Sequence, residues 1–578
     1  MRFHVALLFF PLLASSIAFG KKSNDVVIPK SGATTRVIAV YKSDIKQSHL
    51  DKITRKQGKV HRVMLNARMA SFDVTGDSLD DLDKDSDIDY VTPDRPLAGA
   101  NLGEAENAVR MWPVGAWYMQ NSNCRGCTRG AIGVAVLDSG IQANHGDMAW
   151  WNTTNSRVVY SQSFVDNSTA DLNGHGTHVA GIIGGEGNIS CIQGGLDASG
   201  NCKAIQTFFG VAAGVQFINL KVLDANGQGT DSGVIAAIDR AIALKTTYNI
   251  KVMNISLGRP VRESYKTDPL GLAVAKAWDA GIVVVVAAGN EGRNNTAGTN
   301  GYGTITSPAN HPKVITVGAI NTLTNFWDAD DRAATYSSKG PTMIDRVVKP
   351  DLVAPGNAIV SLQAVNSKLA QLYPANRPPV SSYWPWATGT SPYYFKLSGT
   401  SMAAPLVSGS AALLIDKDPT LTPDMVKARL MKTARRGFVK NVSVYEASTS
   451  KWYAVTHDIF TVGAGVLDIN AAFFATDKPA GSAASPIAVY NSATKKTSLN
   501  FTASGGTNVI WGDAAKNFPT NVIWGDNVIW GDNVIWGENV IWGTSGTGGF
   551  NVIWGTSSPF TSGSSQMESL SIAINGDL

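Results

Sequence analysis

Three residues with the functional groups of a nucleophilic hydrolase stand in separate glycine-rich contexts along the chain. Asp138 ends the apolar segment GVAVLDSG, His175 lies in NGHGTHVAG before a helical pattern, and Ser401 lies in SGTSMAAPLVSG at the start of another. A serine hydroxyl becomes a nucleophile when a histidine takes its proton and a carboxylate orients and stabilises the imidazole. Together the three side chains predict acyl transfer by an activated serine.

Acyl transfer also needs fixed donors around the oxyanion of the tetrahedral intermediate. The backbone N–H of Ser401, at a helix start, is one candidate. The side-chain amide of Asn290, which follows the apolar run GIVVVVAAG, is the other. Pro405 is expected in the first turn of the helix, where a missing N–H costs little. Each residue alone fits an ordinary turn or helix cap, so the prediction depends on all four contexts occurring together.

The elements that would position these residues are short apolar strands alternating with helical patterns. From about Ala131 to Ala472, runs rich in Val and Ile are bounded by Gly, which predicts an α/β fold with a parallel sheet and helices on both faces. The carboxyl ends of such strands share one edge of the sheet, where Asp138 and Asn290 would meet. Residues 35–98 combine alternating apolar segments with an acidic helical stretch and predict a small α+β module.

The N-terminus and the cysteines indicate export. Arg2, the apolar run Val5–Leu13 and small residues up to Gly20 predict a secretory signal peptide over residues 1–20, and the run is too short for a transmembrane anchor. In an oxidising compartment one or two disulfides are expected, with three pairings open. The candidates are Cys124, Cys127, Cys191 and Cys202. A net charge of +4 over 578 residues, without a basic run, argues against a nucleic-acid partner.

Four motifs closely resemble those of the subtilisin-like serine peptidases, over roughly Val114–Ala472. They are VAVLDSGI, GHGTHVAG, AAGNEG and GTSMAAPLVSG. The resemblance implies a triad of Asp138, His175 and Ser401 with Asn290 as an oxyanion donor, while His178 falls at a non-catalytic position. It also implies a secreted endopeptidase that acts on protein or peptide substrates and requires no cofactor for catalysis.

The same resemblance assigns substrate-binding residues. One wall of the primary pocket, which also pairs with the substrate backbone, is Ser256, Leu257 and Gly258; the other wall is Ala287, Ala288 and Gly289. The floor is expected near Ile305–Pro308. Gly227 belongs to the loop Asp224–Gly229, which would line a more distant subsite.

Residues 35–98 resemble the family's propeptide, which assists folding and inhibits the enzyme until it is cleaved. Cleavage is expected between Pro93 and Arg110. The expected organisation is therefore a signal peptide (1–20), a propeptide (35–98), a catalytic domain (110–475), a linker with a β segment (476–507), a repeat tail (508–556) and a C-terminal strand segment (557–578).

The chain departs from the family's pattern at the expected calcium-binding loop. Relatives often bind calcium through an aspartate shortly after the catalytic one, which Asp147 matches, together with a loop that does not match here. A segment containing Cys191 and Cys202 intervenes instead. A disulfide there would either replace or reinforce the metal. Structural calcium stays an alternative, with oxygens from Glu186, Asn188 and Asp197.

Two aromatic-rich segments leave alternatives open. The insertion Leu369–Lys396 would either form a lid or wall near the site or pack onto the surface, and the second alternative is favoured. Its aromatics include Trp384, Trp386, Tyr393 and Tyr394.

The NVIWGD hexapeptides between Asn508 and Thr556 predict a β-rich tail. The tail would serve as a structural appendage, a surface-retention element or a module that stacks Trp on sugar or polymer. The rival function is thus a non-catalytic secreted surface or binding protein, and the intact catalytic motifs argue against it.

Overall fold

The computed structural model describes residues 21–30, 33–99, 131–151, 153–195, 202–204, 207–323, 330–446, 449–491 and 496–502. The predicted signal peptide, the hexapeptide repeats, the segment 557–578, Cys124, Cys127 and Asp197 lie outside these residues. The chain divides into two compact units, one formed by residues 1–61 with 68–93 and the other by residues 62–67 with 94–578.

The smaller unit is an α+β module, as the sequence predicts. Its elements are β1 (Thr35–Tyr41), α1 (Gln47–Thr54), β2 (Lys59–Met64), β3 (Met69–Val74), α2 (Gly76–Lys84) and β4 (Ile88–Pro93). The strands form one sheet in the order β2-β3-β1-β4, and β1 pairs antiparallel with both neighbours. Val37, Phe72, Leu79 and Val91 belong to one buried cluster because alternate strand residues and one face of α2 point into the same core.

The larger unit alternates strands and helices. Its strands are β5 (Pro96–Gly99), β6 (Gly133–Asp138), β7 (Val158–Ser163), β8 (Gln216–Lys221), β9 (Gln228–Thr230), β10 (Ile250–Ile255), β11 (Leu257–Gly258), β12 (Val283–Ala287), β13 (Ile315–Asn321), β14 (Arg332–Ala333), β15 (Leu352–Pro355), β16 (Ile359–Leu362), β17 (Tyr394–Leu397), β18 (Asn441–Glu446), β19 (Lys451–Thr456), β20 (Ile487–Asn491) and β21 (Lys496–Asn500). Its helices are α3 (His175–Gly184), α4 (Asn188–Gly194), α5 (Asp231–Leu244), α6 (Pro269–Asp279), α7 (Lys368–Leu372), α8 (Thr400–Lys417), α9 (Pro423–Lys432) and α10 (Ile469–Phe474).

Eight strands build the central sheet in the order β14-β13-β12-β10-β6-β8-β7, with β15 also paired to β13. All these pairings are parallel except that of the two-residue β14 with β13. Every residue of β6, β12 and β13 is buried, so both faces of the sheet are covered, as their continuous Val and Ile runs predict. Helix α8 packs against α3 and against β10, β12, β13 and β15.

The start of α8 corrects one detail of the sequence analysis. The helix begins at Thr400, so Pro405 is its sixth residue and lies inside the helix rather than in the first turn. A proline there leaves the carbonyl four residues earlier, that of Ser401, without its helical donor. The hydroxyl of Ser256 donates to this carbonyl at 3.1 Å instead, so a contact distant in sequence replaces the missing helical bond.

The segment expected as a linker after residue 475 is packed against the larger unit. Ser485 is fully buried, and its hydroxyl donates to Asp351 Oδ1 at 2.5 Å. Val348 N–H donates to the carbonyl of Pro486. Ala483 and Ala484 are buried beside Ser485, so part of this Ala- and Ser-rich segment is packed and not a free linker. The residues described contain no helix long and apolar enough to cross a membrane.

Candidate active site

Asp138 and His175 form a buried pair at the carboxyl edge of the sheet. Asp138 is the last residue of β6 and is 1% exposed; His175 is the first residue of α3 and is 3% exposed. The Nδ1 of His175 lies 2.7 Å from Asp138 Oδ1. The same carboxylate oxygen accepts the N–H of Ser139 at 2.8 Å. The imidazole is therefore held in the orientation that leaves Nε2 for a second partner.

Asp171 supports this pair, although it lies outside the four sequence motifs. Its Oδ1 accepts from Ser139 Oγ at 2.8 Å and from Gly174 N–H at 2.7 Å, and its Oδ2 accepts from Thr177 N–H at 2.8 Å. Ser139 Oγ in turn accepts the N–H of Gly176 at 2.9 Å. The first turn of α3 is thus fixed to the residue that follows Asp138. An aspartate three residues before a helix-opening glycine is the one sequence signal that could have found it.

The pKa values of the two histidines in HGTH are shifted in opposite directions. Burial lowers the pKa of His175, but the charge and hydrogen bond of Asp138, with the charge of Asp171, outweigh burial and raise it above its ordinary value. Burial and the neighbouring His175 lower the pKa of His178 to about 3. The Nε2 of His178 lies 3.1 Å from the carbonyl of Ile359 and 3.0 Å from that of Phe395, so this ring is a neutral structural donor.

Ser401 is the second residue of α8 and exchanges two hydrogen bonds with Ser256. Ser401 Oγ donates to the Ser256 carbonyl at 3.1 Å, while Ser256 Oγ donates to the Ser401 carbonyl. The Nε2 of His175, although buried, has no hydrogen-bond partner in the part of the chain that the structure describes. The serine and the histidine stand at the starts of two helices packed together, α8 and α3. Hydrogen bonds between a nucleophile and its base are often long or absent until substrate binds.

The two polar atoms of the Asn290 side chain differ in their hydrogen bonding: the oxygen has donors, and the nitrogen has no acceptor among the described residues. Its Oδ1 accepts from the N–H and from the Oγ1 of Thr400, both at 3.0 Å. Its Nδ2 is buried and has no partner among the described residues. A Cβ at Gly399, whose φ is +145°, would lie 3.1 Å from Nδ2. A glycine before the helix therefore keeps space open beside an oriented, unused donor.

Strand β11 joins the expected substrate-binding residues to a second strand pair. Leu257 and Gly258 form β11 and pair antiparallel with β5, which pairs on its other side with β9. Gly227 lies in the turn before β9, where its φ is +73°. Residues 96–99 thus lie as the middle strand of a three-stranded sheet whose outer strands are the ones that the resemblance assigns to substrate.

The two expected pocket walls converge on Thr306. A Cβ added to Gly258 would lie 2.5 Å from Thr306 Oγ1, and one added to Gly289, where φ is +108°, would lie 2.8 Å from Thr306 Cγ2. Thr306 N–H donates to the carbonyl of Ala288 at 3.1 Å, and Ala287 is buried beside it. The predicted floor segment therefore lies between the two walls, and the side chain of Thr306 lies against both Gly258 and Gly289.

A buried ion cluster is built around Arg259, the residue that directly follows β11, and none of the sequence motifs indicates it. Arg259 Nε lies 2.9 Å from Asp231 Oδ1, and its Nη2 lies 2.7 Å from Asp268 Oδ1. Ser307, which exchanges backbone hydrogen bonds with Arg259, also donates its hydroxyl to Asp268 at 2.7 Å. The cluster ties the wall strand to the floor segment, and the three charges come from places too distant in sequence to reveal it.

The calcium alternative does not fit the residues at Asp147. Its Oδ1 accepts the N–H of Ile189 and its Oδ2 accepts the hydroxyl of Tyr394, both at 2.7 Å, so both oxygens already have donors. No group of three or more acidic, histidine or cysteine side chains suited to a metal occurs within the described ranges. One of the expected disulfides is present, because Cys191 and Cys202 are bonded.

The insertion contacts the candidate site through α7 rather than through its tryptophans. The N–H groups of Lys368 and Leu369 donate to the carbonyls of Leu172 and Asn173, just before His175. The aromatic side chains expected to act together are divided: Trp384 and Trp386 are exposed, whereas Tyr394 is buried against Phe208 and Asp147.

Comparison with known proteins gives one family. The model of the subtilase family matches residues 129–465, more than half of the chain. Serine protease AprX of Bacillus subtilis (strain 168) is 35% identical over 327 residues, which cover 55% of this chain and 64% of AprX, so the chain spans slightly less than two thirds of that relative. Subtilisin E of the same strain is 31% identical over 437 residues, covering 74% of this chain and 93% of subtilisin E.

A solved structure agrees at the level of the fold. Fervidolysin from Fervidobacterium pennivorans, described as a keratinolytic enzyme related to subtilisin, matches with a TM-score of 0.55 and 21% identity. The match covers 80% of this chain and 64% of fervidolysin. It supports the α/β fold predicted from the sequence.

Proposed function

The chain belongs to the subtilase family and is a serine-type endopeptidase of the subtilisin type, and we propose that it cleaves peptide bonds through Ser401, His175 and Asp138. The observation that carries this proposal is the 2.7 Å contact between His175 Nδ1 and Asp138, which leaves a buried Nε2 without a partner among the described residues. A buried base with one oriented nitrogen and one unused nitrogen is poised to take a proton.

The proposed reaction has two halves. Ser401 Oγ attacks the peptide carbonyl carbon while its proton passes to His175 Nε2, and Asp138 stabilises the imidazolium. The oxyanion is bound by the Ser401 N–H and by Asn290 Nδ2. His175 then gives its proton to the leaving amine, and an ester to Ser401 remains. Water, deprotonated by the same histidine, hydrolyses that ester and restores the serine.

The experiment is the substitution Ser401→Ala, with Ser410→Ala as its matched control. Ser410 is a buried serine of the same helix whose hydroxyl donates to Leu406 within α8. Hydrolysis of casein and of a small peptide ester should be lost in the first variant and kept in the second. Equal activity of Ser401→Ala and the parent protein would refute the assignment.

We also propose that the chain is an exported zymogen whose residues 35–98 are a propeptide. Support comes from β5, which pairs with β9 and β11 as a bound peptide would pair with the substrate strands. The α+β fold of residues 35–93 is in keeping with a separate inhibitory module. Export rests on the signal-like sequence of residues 1–20 and on the disulfide between Cys191 and Cys202.

The repeat tail supplies the rival function, in which the chain binds a surface or polymer through its tryptophans. Deleting Asn508–Thr556 separates the two. Casein hydrolysis per folded molecule should survive the deletion if the triad is the functional centre, and binding to cells or polysaccharide would be what changes. Loss of hydrolysis in a folded deletion variant would favour the rival.

A further inference from the structure

Arg157 is a fully buried arginine whose five N–H groups all have backbone acceptors. It stands just before β7 and is 0% exposed. Its Nη1 donates to the carbonyls of Ala213 and Val215 at 2.7 and 3.1 Å, its Nη2 to those of Asp147 and Gly184 at 2.8 and 2.5 Å, and its Nε to that of Ala149 at 3.4 Å. A guanidinium has five donors, so every one of them is used.

The five carbonyls come from three separate parts of the domain. Asp147 and Ala149 follow β6, Gly184 ends α3, and Ala213 and Val215 precede β8. Carbonyls at a helix C-terminus carry partial negative charge, so the end of α3 favours a cation there. Burial lowers the pKa of Arg157 to about 10, and the charges of Glu186 and Asp147 oppose this and favour the cation. Converging carbonyl oxygens with carboxylates beside them are the ligand type of a hard cation such as calcium.

Asp147 connects this cluster to the calcium question. In relatives the corresponding aspartate often binds calcium, but here its carboxylate is used by Ile189 and Tyr394 and its carbonyl by Arg157. The oxygens are thus directed to protein donors, and the positive charge is supplied by a side chain.

We propose that Arg157 is the built-in cation of this domain, which takes the structural place of a calcium ion and makes the domain's stability independent of calcium. The guanidinium joins the loop after β6 and the turn before β8 to the C-terminus of α3, the helix that begins at His175. It therefore anchors that helix at the end opposite the histidine. The proposal goes beyond the catalytic assignment and holds whether or not Ser401 is the nucleophile.

The test measures thermal unfolding of the full chain in a Ser401→Ala background, which keeps self-digestion out of the melt. With Arg157 present, Tm should be the same in excess EDTA and in millimolar calcium chloride. Arg157→Ala should lower Tm by roughly 5–10 °C, because buried carboxylates and carbonyls lose their cation. Calcium chloride or methylguanidinium should restore part of that loss in Arg157→Ala alone.

Two further variants sharpen the comparison. Arg157→Lys should fall between the parent and Arg157→Ala, since an ammonium has three donors for five carbonyls. Arg240→Ala removes an exposed arginine of α5 and should leave Tm unchanged, with or without calcium.

The proposal is overturned if chelation lowers the Tm of the protein that carries Arg157. It is also overturned if Arg157→Ala has the same Tm as Arg240→Ala. If Arg157→Ala does not fold, the chelation result and the Tm of Arg157→Lys decide the question. A Tm of Arg157→Lys equal to that of the parent would then count against a cation held by five carbonyls.

Discussion

Ser256 donates its hydroxyl to the carbonyl of Ser401, which Pro405 leaves without a helical donor. The donor is itself oriented, since Asn254 Nδ2 donates to Ser256 Oγ at 2.9 Å and Ser408 Oγ donates to Asn254 Oδ1 at 2.8 Å. A chain of polar side chains therefore runs from the middle of α8 back to the residue proposed as nucleophile.

We expect Ser256→Ala to reduce kcat/KM about five- to tenfold, since a buried carbonyl loses its donor at a cost of about 1–1.5 kcal/mol. Pro405→Ala restores an N–H four residues after Ser401, so Ser256→Ala should cost less in that background. The four kcat/KM values of this double-mutant cycle give the coupling directly. An equal effect of Ser256→Ala in both backgrounds would contradict the replacement of one donor by the other.

Asn290→Ala should lower kcat by about 10²–10³ with little change in KM, because its amide acts on the oxyanion and not on the bound substrate. Thr400→Val removes one of the two donors that orient Asn290 Oδ1 and should lower kcat by about tenfold. Thr400→Ser keeps the hydroxyl and is the matched control. If Thr400→Ser lost as much as Thr400→Val, methyl packing rather than orientation would be the role of this residue.

The raised pKa of His175 determines the pH at which kcat/KM decreases on acidification. The base works only when neutral, so kcat/KM should fall as pH decreases through a midpoint above the ordinary value of about 6.5. Asp171→Asn removes one of the negative charges that favour the imidazolium and should move this midpoint to lower pH. Asp279→Asn, the same charge change at an exposed residue, should leave it in place. An unmoved midpoint in Asp171→Asn would limit Asp171 to a structural role.

The parts of the site that the sequence predicts are those with local signals. Asp138 and Asn290 follow continuous apolar runs, and His175 and Ser401 lie in glycine-rich helix starts, so each context is contained within a few residues. The hydrophobic periods that predict the α/β sheet and the α+β module are equally local.

The features that the sequence does not predict depend on contacts across the fold. Thr400 looks like an ordinary helix cap, yet its hydroxyl orients Asn290, 110 positions earlier. Arg157 looks like a surface arginine beside a strand, and only the folded chain brings five carbonyls around it. Pro405 lies in the second turn of α8 and not the first, because the helix begins at Thr400, whose N–H donates to the distant Asn290.

Self-processing should depend on Leu97, a buried residue of β5. Leu97 is 3% exposed and lies opposite Gly229, while its neighbour Pro96 is exposed. Burying a leucine contributes about 1.5–3 kcal/mol, so Leu97→Asp should slow processing roughly ten- to a hundredfold. Pro96→Ala, a change at the adjacent exposed position, should process at the parent rate.

The position of the new N-terminus tests the same strand. Gly99 pairs with Leu257, one residue from Ser256, whose carbonyl accepts the Ser401 hydroxyl. A chain that continues this antiparallel register reaches the nucleophile one or two residues after Gly99, so N-terminal sequencing of the mature enzyme should begin at Asn101 or the residue beside it. A start near Arg110, or normal processing of a folded Leu97→Asp variant, would mean that β5 is not the segment presented for cleavage.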